Sequence, residues 1–181
     1  MMTVTRISVN RAAVLTLWAA VVARRLGFDR DEALTMGRVI AGLNAYAKGK
    51  SLGIYEPHPE TLSRESRRIP PGTALHVNLL NRAVPVVRTN EGLRALSKGN
   101  PVTPDSVARY LEAKFGDTLS SVEEAMMRLA ASIPRRDLAA RAYELYESFR
   151  PRIPSGIRGW GAAGDLDLER VARLRRTQEA E

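Results

Sequence analysis

The chain has no cysteine in its 181 residues, two histidines (His58 and His76) and 6% aromatic residues. The missing cysteine excludes disulfides, thiolate nucleophiles and cysteine-ligated zinc or iron–sulfur centres. The two imidazoles offer little in their place. His58 sits in Glu56-Pro57-His58-Pro59-Glu60, which reads as a proline-stiffened surface turn, and His76 alternates with apolar residues. Neither has a serine, an aspartate or a second histidine at a catalytic spacing, so no metal, no cofactor and no catalytic residue is expected. The longest apolar run, Ala12 to Ala23, falls short of the roughly 20 residues that cross a bilayer. Preceded by Arg6 and Arg11, it has the outline of a signal peptide, but Arg24-Arg25 follows at once and the pattern continues into another helix through Gly27-Phe28-Asp29. A cytoplasmic protein with no membrane partner is expected.

What the chain does have is positive charge. Lys and Arg number 28 against 20 Asp and Glu, a net charge of +8. The excess is uneven: Arg64 to Lys98 holds seven basic and two acidic residues, whereas Asp165 to Glu181 holds four basic and five acidic. Such a balance favours polyanionic partners, because basic side chains displace condensed counterions when they neutralise phosphates. The hydrophobic fraction of 44% and charged fraction of 27% suit a globular chain, and the length suits one domain over 1–181.

Helical periodicity dominates. Asn10 to Leu26 is apolar on most sides, as a central helix would be. Asp29 and Glu32 form a capping box for a second helix with Leu34, Met36, Val39, Ile40, Leu43 and Tyr46 on its apolar side. Ala33, Gly37, Ala41 and Ala45 make a stripe of small residues on which another helix can pack closely, so residues 1–55 read as a tight helical hairpin. The segment 56–104 holds seven of the ten prolines and is the least regular. Over 73–88 it reads either as a short β-hairpin turning near Asn81-Arg82, with Pro85 demoting the second strand to an edge, or as a short helix from Thr73. Glu91 to Ser97 reads as helical, and Thr103-Pro104-Asp105 opens a helix to Phe115.

Ser120 with Glu123 caps a further helix, Pro134 separates it from one ending at Phe149, and these fill 105–149. After a loop over 150–164, Asp165 caps a short helix, and the tail of 165–181 should fray after Arg175. The expected fold is therefore mainly α, a compact helical domain of six or seven helices with at most one short β-hairpin in its proline-rich middle.

Asn44 to Ser51 approaches the phosphate-binding pattern G-x-x-x-x-G-K-[ST], but Asn44 replaces the first glycine and a helix precedes it where a strand is required. Lys48 and Lys50 remain candidates for meeting an anion at that helix end. Leu93 to Phe115 has the outline of a helix-turn-helix whose second helix balances Asp105 and Glu112 against Arg109 and Lys114, a poor DNA reader. The segment Arg150-Pro-Arg-Ile-Pro-Ser-Gly-Ile-Arg-Gly-Trp-Gly combines Arg150, Arg152 and Arg158 with Trp160 in a glycine-proline frame. Arginine forks fit phosphates and an indole stacks on bases, although the same residues could simply anchor the segment to the helical body. The candidate anion-binding set is thus Lys48, Lys50, Arg64, Arg67, Arg68, Arg150, Arg152, Arg158 and Trp160. The expected function is non-enzymatic binding of a polyanion, nucleic acid first. The alternatives are a helical scaffold that self-associates or docks a protein through the hairpin, and an enzyme or small-ligand binder whose pocket is assembled from distant positions.

Overall fold

The computed structural model describes residues 6–47, 69–153 and 163–180, with the backbone alone over 44–47. Its first strand, β1 (Arg6–Asn10), runs directly into helix α1 (Arg11–Arg25), which Asn10 caps by accepting a hydrogen bond from the Ala13 amide at 2.7 Å. Every residue of α1 from Ala12 to Ala23 is buried. The two polar groups this places inside are satisfied: the Thr16 hydroxyl donates to the Ala12 carbonyl at 2.8 Å and the Trp18 indole to the Ala142 carbonyl at 2.8 Å. Helix α2 (Arg30–Ala47) starts with the expected capping box, Glu32 N–H to Asp29 Oδ1 and Asp29 N–H to Glu32 Oε1. The small-residue stripe is used at Ala33, Gly37 and Ala41. A Cβ on Gly37 would fall on the Thr16 carbonyl oxygen and lie 3.1 Å from the Ala20 nitrogen, so only glycine allows α1 and α2 their separation here.

The middle of the chain overturns the mainly α expectation. It forms a four-stranded antiparallel meander of β2 (Ala74–Leu79), β3 (Arg82–Thr89), β4 (Gly92–Ser97) and β5 (Asn100–Pro101), in that spatial order. With a second, two-stranded sheet described below, the fold is mixed α and β. Leu80 and Asn81 both have positive φ, 49° and 63°, as a two-residue hairpin turn matched to strand twist requires, so the hairpin and not the short helix occupies 74–89. Glu91 to Ser97 is likewise not helical. Leu93 and Ala95 pair with Arg88 and Val86 of β3, and the helix-turn-helix reading goes with it.

Pro85 does not put its strand at an edge either: β3 lies between β2 and β4. The Arg88 amide donates toward Thr73 on the β2 side, so by strand alternation position 85 faces β4, and the β3–β4 ladder stops at Val86. The missing amide of proline falls where pairing ends. Beyond it β4 pairs with β5 through Leu96 and Ser97.

Helix α2 lies against the far side of β4, and its first turn supplies what that strand needs. Leu93 N–H donates to Glu32 Oε2 at 2.8 Å and Ala95 N–H to Thr35 Oγ1 at 3.0 Å. The carbonyl of Leu93 accepts from Arg94 Nη1 at 2.9 Å and that of Ala95 from the Val102 amide at 2.9 Å. Buried Glu32 thus uses one oxygen to cap its own helix and the other to hold the sheet.

Three helices follow, α3 (Pro104–Phe115), α4 (Leu119–Ala131) and α5 (Arg135–Phe149), the first two joined by a 3-10 turn over Gly116–Thr118. Proline at the first position of α3 and the buried rows Val122, Met126, Leu129 and Leu138, Ala142, Leu145, Phe149 match the periodicity. Ser120 lies inside α4 and not at its cap, because the helix already begins at Leu119. The last two elements are β6 (Ala163–Asp167) and α6 (Leu168–Glu179). Asp165 belongs to the strand, and Asp167 caps α6 by accepting from the Glu169 amide at 3.0 Å. The helix continues past Arg175 to Glu179, held by Arg176–Glu169 and Arg175–Glu179 pairs and by Arg141 donating to Gln178. Among the described residues no helix is long and apolar enough to cross a membrane.

Candidate polyanion interface

The 150–164 segment leaves from and returns to the two-stranded sheet. Strands β1 and β6 pair antiparallel from Arg6↔Asp167 to Asn10↔Ala163. Alternation buries Ile7, Val9, Gly164 and Leu166 and turns Arg6, Ser8 and Asp165 outward. Arg152 bridges the other side of β6 by exchanging both backbone hydrogen bonds with Asp165, at 3.1 and 2.9 Å. Gly164 makes this approach available, since a Cβ there would lie 2.8 Å from Pro151 Cβ and 2.9 Å from the Arg152 carbonyl oxygen.

Pro151 is fixed in turn by Arg11, whose Nε donates to its carbonyl at 3.0 Å, and the Arg11 carbonyl accepts from the Tyr146 hydroxyl at 3.2 Å. Burial pushes the Tyr146 phenol well above its ordinary range, against the opposing pull of Arg11 and Arg150, so it serves as a neutral donor. The result is a rigid footing for the loop. Asp165 is engaged by Arg6 at 3.4 Å, while half-buried Arg150 and exposed Arg152 have no acidic partner among the described residues.

Of the residues singled out from sequence, Arg150 and Arg152 are therefore brought to one place. Lys48, Lys50, Arg64, Arg67, Arg68, Arg158 and Trp160 lie outside the described residues, as does His58. The basic middle segment is less available than its net charge suggests. Arg82 and Arg94 are 8% and 6% exposed, and Arg88 donates to the Thr89 carbonyl. Other arginines are used as helix caps. Arg25 donates to the carbonyls of Ala130 and Ile133 at 3.3 and 3.4 Å, and Arg135 to the Arg25 carbonyl at 3.0 Å. These groups complete the C-terminal ends of α4 and α1.

A cation cluster that sequence reading did not find lies on α2 and α3. The guanidinium carbon of Arg38 stands 4.3 Å over the centroid of the Tyr110 ring, and Lys114 Nζ is 5.8 Å from the same centroid. Neither cation has an acidic partner among the described residues. The spacing of Tyr110 and Lys114, one helical turn, was a visible half of this signal. Arg38 joins them only through the packing of α2 on α3.

The competing readings meet specific obstacles. The small-residue face of α2 is covered by α1, and Met127 is the one large hydrophobic side chain exposed among the described residues. No described group of three or more His, Cys, Asp or Glu could hold a metal ion. A hollow of about 350 Å³ is bordered by Thr89, Asn90, Thr103, Glu91 and Arg94, but its two charged groups face each other at 3.7 Å. Comparison with protein-family models, with curated proteins and with solved structures finds no match to this chain.

Proposed function

We propose that the protein binds a polyanion, nucleic acid, through its basic surface and without catalysis. The observation that carries this reading is the division of its cations. Most described arginines are taken up by carboxylates or main-chain carbonyls, whereas Arg150 and Arg152 stand without an acidic partner beside the bridge to β6, just before the Arg-Gly-Trp segment in sequence. Guanidiniums in that position can exchange water and counterions for phosphate oxygens at little reorganisation. Trp160, further along the segment, would add base stacking.

The test is a salt titration of nuclease-treated protein against labelled duplex DNA, single-stranded DNA and RNA, with heparin as competitor. Expected is binding to one nucleic acid in preference to the others, with a log–log salt slope of about −2 to −4, and a slope shallower by about one unit in Arg152→Gln. Equal binding to every polyanion reduces the reading to charge alone, and absence of binding at low salt removes it.

A further inference from the structure

We propose that Arg38, Tyr110 and Lys114 form a clamp for a phosphate group. This goes beyond the function proposed above, because it holds for a phosphate however it is borne and does not use the 150–164 segment. Two cations drawn to one ring, 4.3 and 5.8 Å from its centroid, repel each other. Here the turns flanking Arg38 on α2 present Leu34, Thr35, Ala41 and Gly42 and no acid. Glu112, the nearest acid of α3 in sequence, lines a different cavity of about 60 Å³ together with Arg24 and Arg30. Asp117 lies past the end of α3 at Phe115 and makes no ion pair with Lys114.

The ring draws the guanidinium carbon to 4.3 Å while its N–H groups stay unbonded, since Arg38 makes no hydrogen bond to any described residue. The Tyr110 hydroxyl also has no partner among the described residues. The cluster therefore gathers a guanidinium, an ammonium and a neutral phenol at one ring, none with an acceptor among the described residues. A carboxylate would leave donors unused. A phosphate, with more oxygens and up to two negative charges, matches both the donor number and the charge.

Two probes test the clamp, each read on wild type, Arg38→Gln, Lys114→Gln, Tyr110→Phe and the control Arg136→Gln, which removes an exposed cation of α5 without an acidic partner. One is inorganic phosphate, followed by amide chemical shifts of α2 and α3. The other is a labelled oligothymidylate, followed by anisotropy at low salt. Expected are shifts centred on Arg38, Tyr110 and Lys114 with phosphate, a loss of about tenfold in phosphate affinity in either charge variant, and about twofold in Tyr110→Phe. If oligothymidylate affinity falls in parallel, the clamp grips a polynucleotide backbone. If only the phosphate response falls, or wild type ignores the oligonucleotide, the clamp takes free or monoester phosphate and stands apart from the nucleic-acid reading. Phosphate shifts absent from α2 and α3, or charge variants that match Arg136→Gln with both probes, overturn it. All of these substitutions are of partly or fully exposed side chains, and thermal unfolding confirms that each variant is folded.

Discussion

Arg25 and Arg135, where the ends of α1, α4 and α5 meet, direct their guanidiniums at main-chain carbonyls, whereas Arg38, over Tyr110, gives none of its N–H groups to any described residue. The residue type and the formal charge are the same. In the first region the arginines donate to carbonyls at helix ends, adding to the Ile133 amide at the Ala130 carbonyl, so they belong to the fold. In the second they have only an aromatic face, which orients a cation without neutralising it. A net charge of +8 therefore does not count the N–H donors that a ligand can use. The useful quantity is the subset of cations without a carboxylate or a carbonyl, which among the described residues includes Arg38, Lys114, Arg150 and Arg152.

Removing cations in turn should separate the two uses. The largest stability effect is expected at Arg94, buried between Glu91 and the turn that holds Glu32. Arg94→Met strips the donor from the Leu93 carbonyl and a cation from the neighbourhood of a buried carboxylate. It should cost about 3 kcal/mol in urea unfolding and lower the midpoint of thermal unfolding by about 6–10 °C. Next comes Arg25→Ala, which removes a donor from two carbonyls, that of Ala130 keeping the Ile133 amide, and should cost about 1–2 kcal/mol, ahead of the single-bonded Arg135→Ala. An Arg135→Ala effect as large as that of Arg25→Ala would break the ranking. Smallest should be Arg38→Gln, within about 0.5 kcal/mol of wild type by the same measurement, because nothing in the fold depends on its N–H groups. A loss above about 1 kcal/mol there would make Arg38 a structural residue.

The helices were legible because their information is local. Asn10, the Asp29–Glu32 box and Thr103-Pro104 mark helix starts within a few residues, and the stripe around Gly37 announced the α1–α2 seam. Of the strands only the β2–β3 hairpin was, as one of two readings of 73–88, and the two-stranded sheet was missed because its partners are remote. Ile7 and Val9 alternate correctly, but β1 is completed by β6, with Arg6 and Asp165 159 positions apart. Gly92 to Ser97 contains good helix formers, and only the ladder to β3 and the bonds from Glu32 and Thr35 make it a strand. Half of the Tyr110 cluster was visible as a one-turn spacing on α3. Its other half depends on how α2 packs, which no window of sequence contains.

The bonds from α2 to β4 also bear on how the protein behaves in a crowded solution. A strand with outward N–H and C=O groups is a template on which another chain can add a strand, the first step toward aggregation. Over Leu93–Ala95 each outward group is already taken, by Glu32, Arg94, Thr35 and Val102, so this border of the sheet has nothing left to offer a second molecule. Over these residues one helical turn does the work of a missing strand.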